Sequence, residues 1–184
     1  SGMESESFVV LASRSPRRVE LLKQLVADFT VVPADIDETP HAHEGPVSYV
    51  KRLALEKARA VYMVSDSSAI VIGADTTVDL DGHIFGQPVD DDDARRMLTL
   101  LSGTTHQVHT GVAVVGATGE EVEVVSSSVT FLDLWPEMLE WYIGTGESAG
   151  KAGSYAIQGH GSALVASSAG SMSNIIGLPL EETA

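Results

Sequence analysis

Two rhythms of apolar residues alternate along the chain. Short unbroken runs suit buried strands, and stripes at three- and four-residue spacing suit helices packed on one side. "FVVLA" (8–12) is the first run. A serine-rich turn leads from it into a helix predicted over about Pro16 to Val26, with Ser15 as N-cap and Val19, Leu21, Leu22 and Leu25 as its apolar face. A second strand is predicted near 29–32, followed by a loop carrying Asp35, Asp37, Glu38, His41 and His43, and then by a helix from about Val47 to Val64. In "AIVIGADTTVDLDG" the stretch 69–72 predicts a buried strand broken at Gly73-Ala74-Asp75, with Asp81-Gly82 as a hairpin turn. The acids from Asp90 to Asp93 complement the dipole of a third helix, which ends at a "LSG" stop. "HQVHTGVAVVGATGEEVEVVSSSVTFLDL" predicts two long strands around a Gly-rich hairpin, and "PEMLEWYIGTG" another short helix. The Gly- and Ser-rich last third reads as loops and short strands. This mixture predicts one α/β domain over residues 1–184, a mixed central β-sheet flanked by helices.

The second helix holds the sharpest chemical clue. Val50, Leu53, Ala54 and Val61 mark its apolar stripe, and Lys57 falls in the middle of that stripe. Either its stem lies along the core while the ammonium snorkels to solvent, or the ammonium meets an anion in a cleft. The opening helix gives an independent reason to expect an anion. Arg17 and Arg18 occupy its first turn and Arg14 stands just before it, where the helix dipole is already positive and favours acids. Hydroxyls, helix N–H groups and guanidinium forks together suit phosphate oxygens.

Composition narrows the classes. The formal net charge of −15 argues against a nucleic-acid partner, because a polyanion would approach a surface of its own sign, but locally clustered cations can still hold a small anion. With no cysteine, disulfides, thiolate catalysis and cysteine-ligated zinc are excluded, and the absence of a signal-like start leads us to expect a cytoplasmic protein. No apolar run is long enough to span a bilayer. Ser1-Gly2 before Met3 reads as an expression scar.

Asp75 invites two readings. A carboxylate there can simply accept backbone hydrogen bonds in the following turn. Beside a phosphate site at the carboxyl end of a strand, it can instead hold a divalent metal or activate water, with Glu38 sharing the metal. His41 and His43 alternate as zinc ligands do but lack a third partner, so they read as solvated. His106 and His109 read as part of a strand and its surface, and "GHG" (159–161) is too short for a dinucleotide fingerprint. Gln158 carries an amide that both donates and accepts, as reading a pyrimidine edge requires.

The blocks "LASRSPRRVELL", "DIDET", "RLALEKARAV", "IVIGADTTV", "LSGTTHQVHTGV", "KAGSYAIQGHG" and "NIIGLPL" together resemble the Maf family of nucleoside triphosphate pyrophosphatases, relatives of the inosine triphosphatase fold. The resemblance implies a nucleotide cleft, often a homodimer, and hydrolysis of a nucleoside triphosphate between its α and β phosphates with help from a divalent cation, Mg or Mn. It implies Asp75 as proton acceptor or metal ligand, Glu38 near the metal, and Ser13, Ser15, Arg18 and Lys57 at the phosphates. Arg17, Thr76 and Gln158 match the branch acting on dTTP and UTP. Gln87 departs from the pattern, standing as a neutral amide where the family usually has lysine. Arg14 or Lys151 is the cation able to compensate, and both Gln87 and Lys151 are expected at the substrate. The chain also stops at "LPLEETA", short of the family's usual closing helix. The expected function is pool cleansing or regulation of pyrimidine triphosphates, modified bases included. The alternative is a nucleotide-binding regulator of weak or no catalysis, linked to division arrest.

Overall fold

The computed structural model describes residues 8–179. The expectation of an expression scar at residues 1–2 and the end of "LPLEETA" lie outside the described residues. Strand β1 (Val9–Ala12) leads through Ser13–Ser15 into helix α1 (Pro16–Leu22), and strand β2 (Thr30–Val31) returns parallel to β1. Helix α2 (Pro46–Met63) precedes β3 (Ile70–Leu80) and β4 (His83–Phe85), which are joined by a tight turn with positive φ at Asp81 and Gly82, as its Asp-Gly sequence predicts. After helix α3 (Asp91–Leu101) come the long hairpin β5 (Thr105–Gly116) and β6 (Gly119–Phe131), helix α4 (Pro136–Gly144), two short 3₁₀ turns, strand β7 (Val165–Ala169) and helix α5 (Met172–Ile176). Asp90 caps α3 by accepting the Asp93 N–H at 2.7 Å, so the acid run has a structural role.

The sheet is mixed, in the order β2-β1-β3-β5-β6-β7, with β4 also paired to β3. Its two faces follow from strand alternation. Val71, Gly73, Asp75 and Thr77 of β3 point toward α2, whereas Ile72, Ala74, Thr76 and Val78 point to the opposite face. The α2 side packs Val10, Ala12, Val71, Ala113 and Val115 against Ala54, Ala58 and Val61. On the other side Leu21 and Leu22 of α1 close over Leu11, Ile72, Ala74 and Val112, while α3, α4 and α5 cover Val78, Val108, Val129 and Phe131. Among the described residues no helix is long and apolar enough to cross a membrane.

Three local expectations need correction. β3 runs unbroken through Gly73-Ala74-Asp75, because β5 pairs with it continuously from Val71 to Asp79. The interruption there is chemical, not geometrical. α1 stops at Leu22 instead of continuing to Val26. The N–H groups of Gln24 and Leu25 turn to carbonyls three residues back, leaving Leu25 exposed while Val26 and Phe29 pack into the core. Finally, the glycine- and serine-rich end contains the helix α5, capped by the Ser171 hydroxyl on the Asn174 N–H, which the loop-like composition hides.

Candidate active site

The site begins as a gap in the sheet. One edge of β3 is occupied throughout by β5. On its other edge β1 pairs only as far as Gly73 and β4 only from Val78, so Ala74–Thr77 have no strand beside them. A cavity of about 650 Å³ opens there. Every residue singled out in the sequence for the site lines it: Ser13, Ser15, Arg17, Arg18, Glu38, Lys57, Asp75, Thr76, Gln87, Lys151 and Gln158. They come from six separated stretches of chain, and only the fold joins them.

Lys57 does not snorkel. Its Nζ lies 2.9 Å from Asp75 Oδ1 and 3.4 Å from Glu38 Oε1. α2 can bring it there because the sheet beneath is nearly bare. A Cβ on Gly73 would meet the Ala54 carbonyl and the Ala58 nitrogen, and one on Gly111 would meet the Val50 carbonyl. Glu38 is held from behind, its backbone carbonyl accepting the Tyr49 hydroxyl at 2.5 Å. Arg52 fastens the same loop, donating to both oxygens of Glu44 at 2.7 and 2.9 Å and to the Thr39 carbonyl at 3.2 Å. Burial pushes the Asp75 carboxyl above its ordinary value, while the charges of Lys57 and Arg18 pull it back. The same burial, with Asp75 and Glu38 nearby, raises Tyr49 to about 12.

Arg18 turns away from the helix terminus and into the wall. Its Nε donates to the Gly177 carbonyl at 2.7 Å, one terminal nitrogen to Thr76 Oγ1 at 3.0 Å and the other to Ser13 Oγ at 3.3 Å. Thr110 donates its hydroxyl to the Asn174 carbonyl at 3.1 Å, so the 2.8 Å contact between Thr76 and Thr110 must be donated by Thr76. A directed chain therefore runs from Arg18 through Thr76 and Thr110 to α5. Ser13 Oγ accepts from Arg18 and from the Ser15 N–H, which leaves its own proton for a ligand. Thr110 and Gly177 were invisible to sequence reasoning, since neither residue type signals a site and their partners are remote in the chain.

Arg17 and Lys151 supply the open charge. Among the described residues no protein group accepts from Arg17, and burial pulls its guanidinium below the ordinary value. Burial, and then the charge of Arg17, does the same to Lys151, whose ammonium rests on the Glu147 carbonyl at 3.0 Å. Cations lining the cavity, Arg14, Arg17, Arg18, Lys57 and Lys151, outnumber its two carboxylates in a chain of net charge −15. Gln87 and Gln158 are exposed on the rim. The arrangement can hold a polyanion, read a polar ring through amides, and present a buried carboxylate to a reacting water.

The remaining histidines stay outside the cavity. His41 and His43 are exposed, as expected. His106 and His109 sit on β5 but are buried, not on a strand surface. Phe131 and Tyr155 enclose His106, and burial drives it down to about 4. His109 bridges Ser126 at 2.6 Å and Asp79 at 2.8 Å across the sheet.

A family model described as Maf-like protein matches residues 8–184. A dTTP/UTP pyrophosphatase of Myxococcus xanthus is 53% identical, with 97% of this chain and 90% of that protein covered. One of the same name from Alcanivorax borkumensis is 49% identical over 96% and 92%. Among solved structures, the Staphylococcus aureus Ham1 protein superposes with a TM-score of 0.52 at 17% identity, covering 69% of this chain and 73% of that one, a likeness of fold alone. The matched span takes in every element of the fold and every residue lining the cavity, and the chain belongs to the Maf-like protein family.

Proposed function

We propose that this protein is a nucleoside triphosphate pyrophosphatase acting on dTTP and UTP, as its relatives are named. The observation that carries the reading is the meeting of Arg18, Lys57 and Asp75 around one cavity at the open edge of β3. Arg17, Lys151, Arg14 and the Ser13 hydroxyl hold the phosphate oxygens, Gln158 faces the base from the rim, and Gln87 stands as a neutral amide where a cation toward the phosphates is expected. Asp75 takes a proton from a water that attacks the α-phosphorus. The bond from that phosphorus to its bridging oxygen breaks, leaving the monophosphate and releasing pyrophosphate. Burial of Asp75 makes it a better base than an exposed carboxylate, and Lys57 keeps it oriented. Cationic groups placed in advance around the departing pyrophosphate stabilise charge where it accumulates.

The donor set fits a divalent cation such as Mg²⁺ or Mn²⁺ held by Glu38 and Asp75. Their carboxylates converge on one ammonium, and such ions take one or two carboxylates and complete their shell with phosphate oxygens and water. Among the described residues no cluster of three acids or histidines forms an all-protein cage, consistent with an ion that arrives with the substrate. When bound, it would neutralise phosphate charge. A cytoplasmic setting and a homodimer belong to the same proposal, supported by the absence of cysteine and by the family resemblance.

The test is pyrophosphate release from dTTP and UTP with Mg²⁺ or Mn²⁺. Asp75→Asn should lower it by about 10²–10⁴-fold while nucleotide binding survives. Binding without release in the unaltered protein would instead favour the regulatory reading, which the neutral Gln87 in the wall favours.

A further inference from the structure

Glu147 does not line the cavity, yet two arms of its wall are tied to it. The first arm, Ala149–Ala152, carries Lys151, and the second, Tyr155–Gln158, carries Gln158. The Glu147 carbonyl accepts from Lys151 Nζ at 3.0 Å. Its carboxylate gathers the turn that follows the second arm, with Oε2 accepting the His160 N–H at 2.7 Å and Oε1 the Gly161 N–H at 3.2 Å. Oε1 also accepts the hydroxyl of fully buried Tyr142 at 3.1 Å, and the same hydroxyl accepts the Ala156 N–H at 2.9 Å. Both ends of the Gln158 segment therefore terminate on one carboxylate, directly at 160–161 and through Tyr142 at 156. The carboxylate lies against the bare backbone of Gly159, where a Cβ would meet it in its present position. Among the described residues, nothing bonds the Gln158 amide itself. Its aim is set by the backbone that Glu147 holds.

Resting on the pyrophosphatase reading, we infer that Glu147 is the positioning residue for base selection: it fixes the Gln158 segment so that the amide discriminates a ring edge carrying N–H between two carbonyls, as in uracil and thymine, from the amino-bearing edge of cytosine. A clamped backbone fixes the distance and angle from which the amide reaches a ring edge and so favours the pairing that geometry fits, whereas a loose segment lets it shift to satisfy either edge. Burial pushes the Glu147 carboxyl up, but the His160 N–H, the Tyr142 hydroxyl and the Gly161 N–H outweigh it and hold the group below the ordinary carboxylate value. It is therefore ionised, and an acceptor only, throughout the neutral range.

Glu147→Gln tests this by turning part of the acceptor into a donor facing other donors. Titration of UMP and CMP by calorimetry reads base choice without any turnover. The expected result is a fall of about tenfold in the preference for UMP, through weaker UMP binding, together with faster amide exchange at residues 156–161. In steady-state assays UTP should lose through KM, with kcat nearly unchanged. Tyr142→Phe, which removes the relay and keeps the ring, should move both readouts in the same direction and serves if Glu147→Gln does not fold. Faster exchange with an unaltered UMP to CMP ratio would overturn the inference, as would an unaltered protein that binds both equally. A protein that prefers UMP through Glu147 but releases no pyrophosphate would keep the inference and remove the activity on which the function rests.

Discussion

At the scale of single residues, the site is built from charges that suit a ligand better than they suit one another. Asp75 shows this most clearly, since burial leaves its carboxyl above the ordinary value even with Lys57 at 2.9 Å. In the interval between the unfolded and folded values the native state binds more protons than the unfolded chain. The contribution of Asp75 to stability is therefore greatest in acid and is lost as pH rises through the folded value. Asn at this position keeps an oxygen for Lys57 and carries no charge. The melting temperature of Asp75→Asn relative to the unaltered protein should accordingly rise between about pH 4 and neutrality, and parallel thermal melts across that range check it. The pairing of Lys57 with an anion was legible in the sequence as one of two readings of a lone cation in an apolar helical stripe, and the structure selects it over snorkelling. The clasp of Arg18 on Gly177 was not, because those residues stand 159 positions apart and a glycine carbonyl has no side-chain signature. Glu147 was hidden for a related reason, as two of its three partners are backbone N–H groups.

At the scale of elements, the distance between α2 and β3 sets the chemistry, and small residues set that distance. Gly73, Gly111 and Ala113 give the sheet a flat patch on which Ala54 and Ala58 of the helix lie. Gly73→Ala would drive a methyl group into the helix backbone, which cannot yield as a side-chain end can. The expected cost is about 1–3 kcal/mol of stability by denaturant titration, with a larger loss of activity than that figure implies, because Lys57 and Asp75 ride on the two parts forced apart. Periodicity revealed the long elements well: α2, α3, β5 and β6 were readable from their apolar rhythm and their turn residues. It failed where tertiary pairing overrides local signals. Gly73-Ala74-Asp75 reads as a strand breaker, but β5 holds the segment extended. α5 is only five residues long, too short for a stripe to declare itself.

At the scale of the whole molecule, a strongly acidic chain concentrates a minority of cations around one opening. That concentration is unfavourable when nothing anionic sits among them, so pyrophosphate or a triphosphate should raise the melting temperature. Saturation at about 100 times Kd corresponds to about 2.7 kcal/mol. Differential scanning fluorimetry across ligand concentrations checks it, and added salt should shrink the shift by screening the same charges. The unpaired stretch of β3 has a consequence for how such a protein diversifies. The buried carboxylate of Asp75 stands on a floor of sheet and helix that tolerates little alteration, whereas Gln87 and Gln158 hang from loops around the mouth. On the proposed reading, new substrates can be accommodated by rebuilding the rim, with the chemistry left to the same floor.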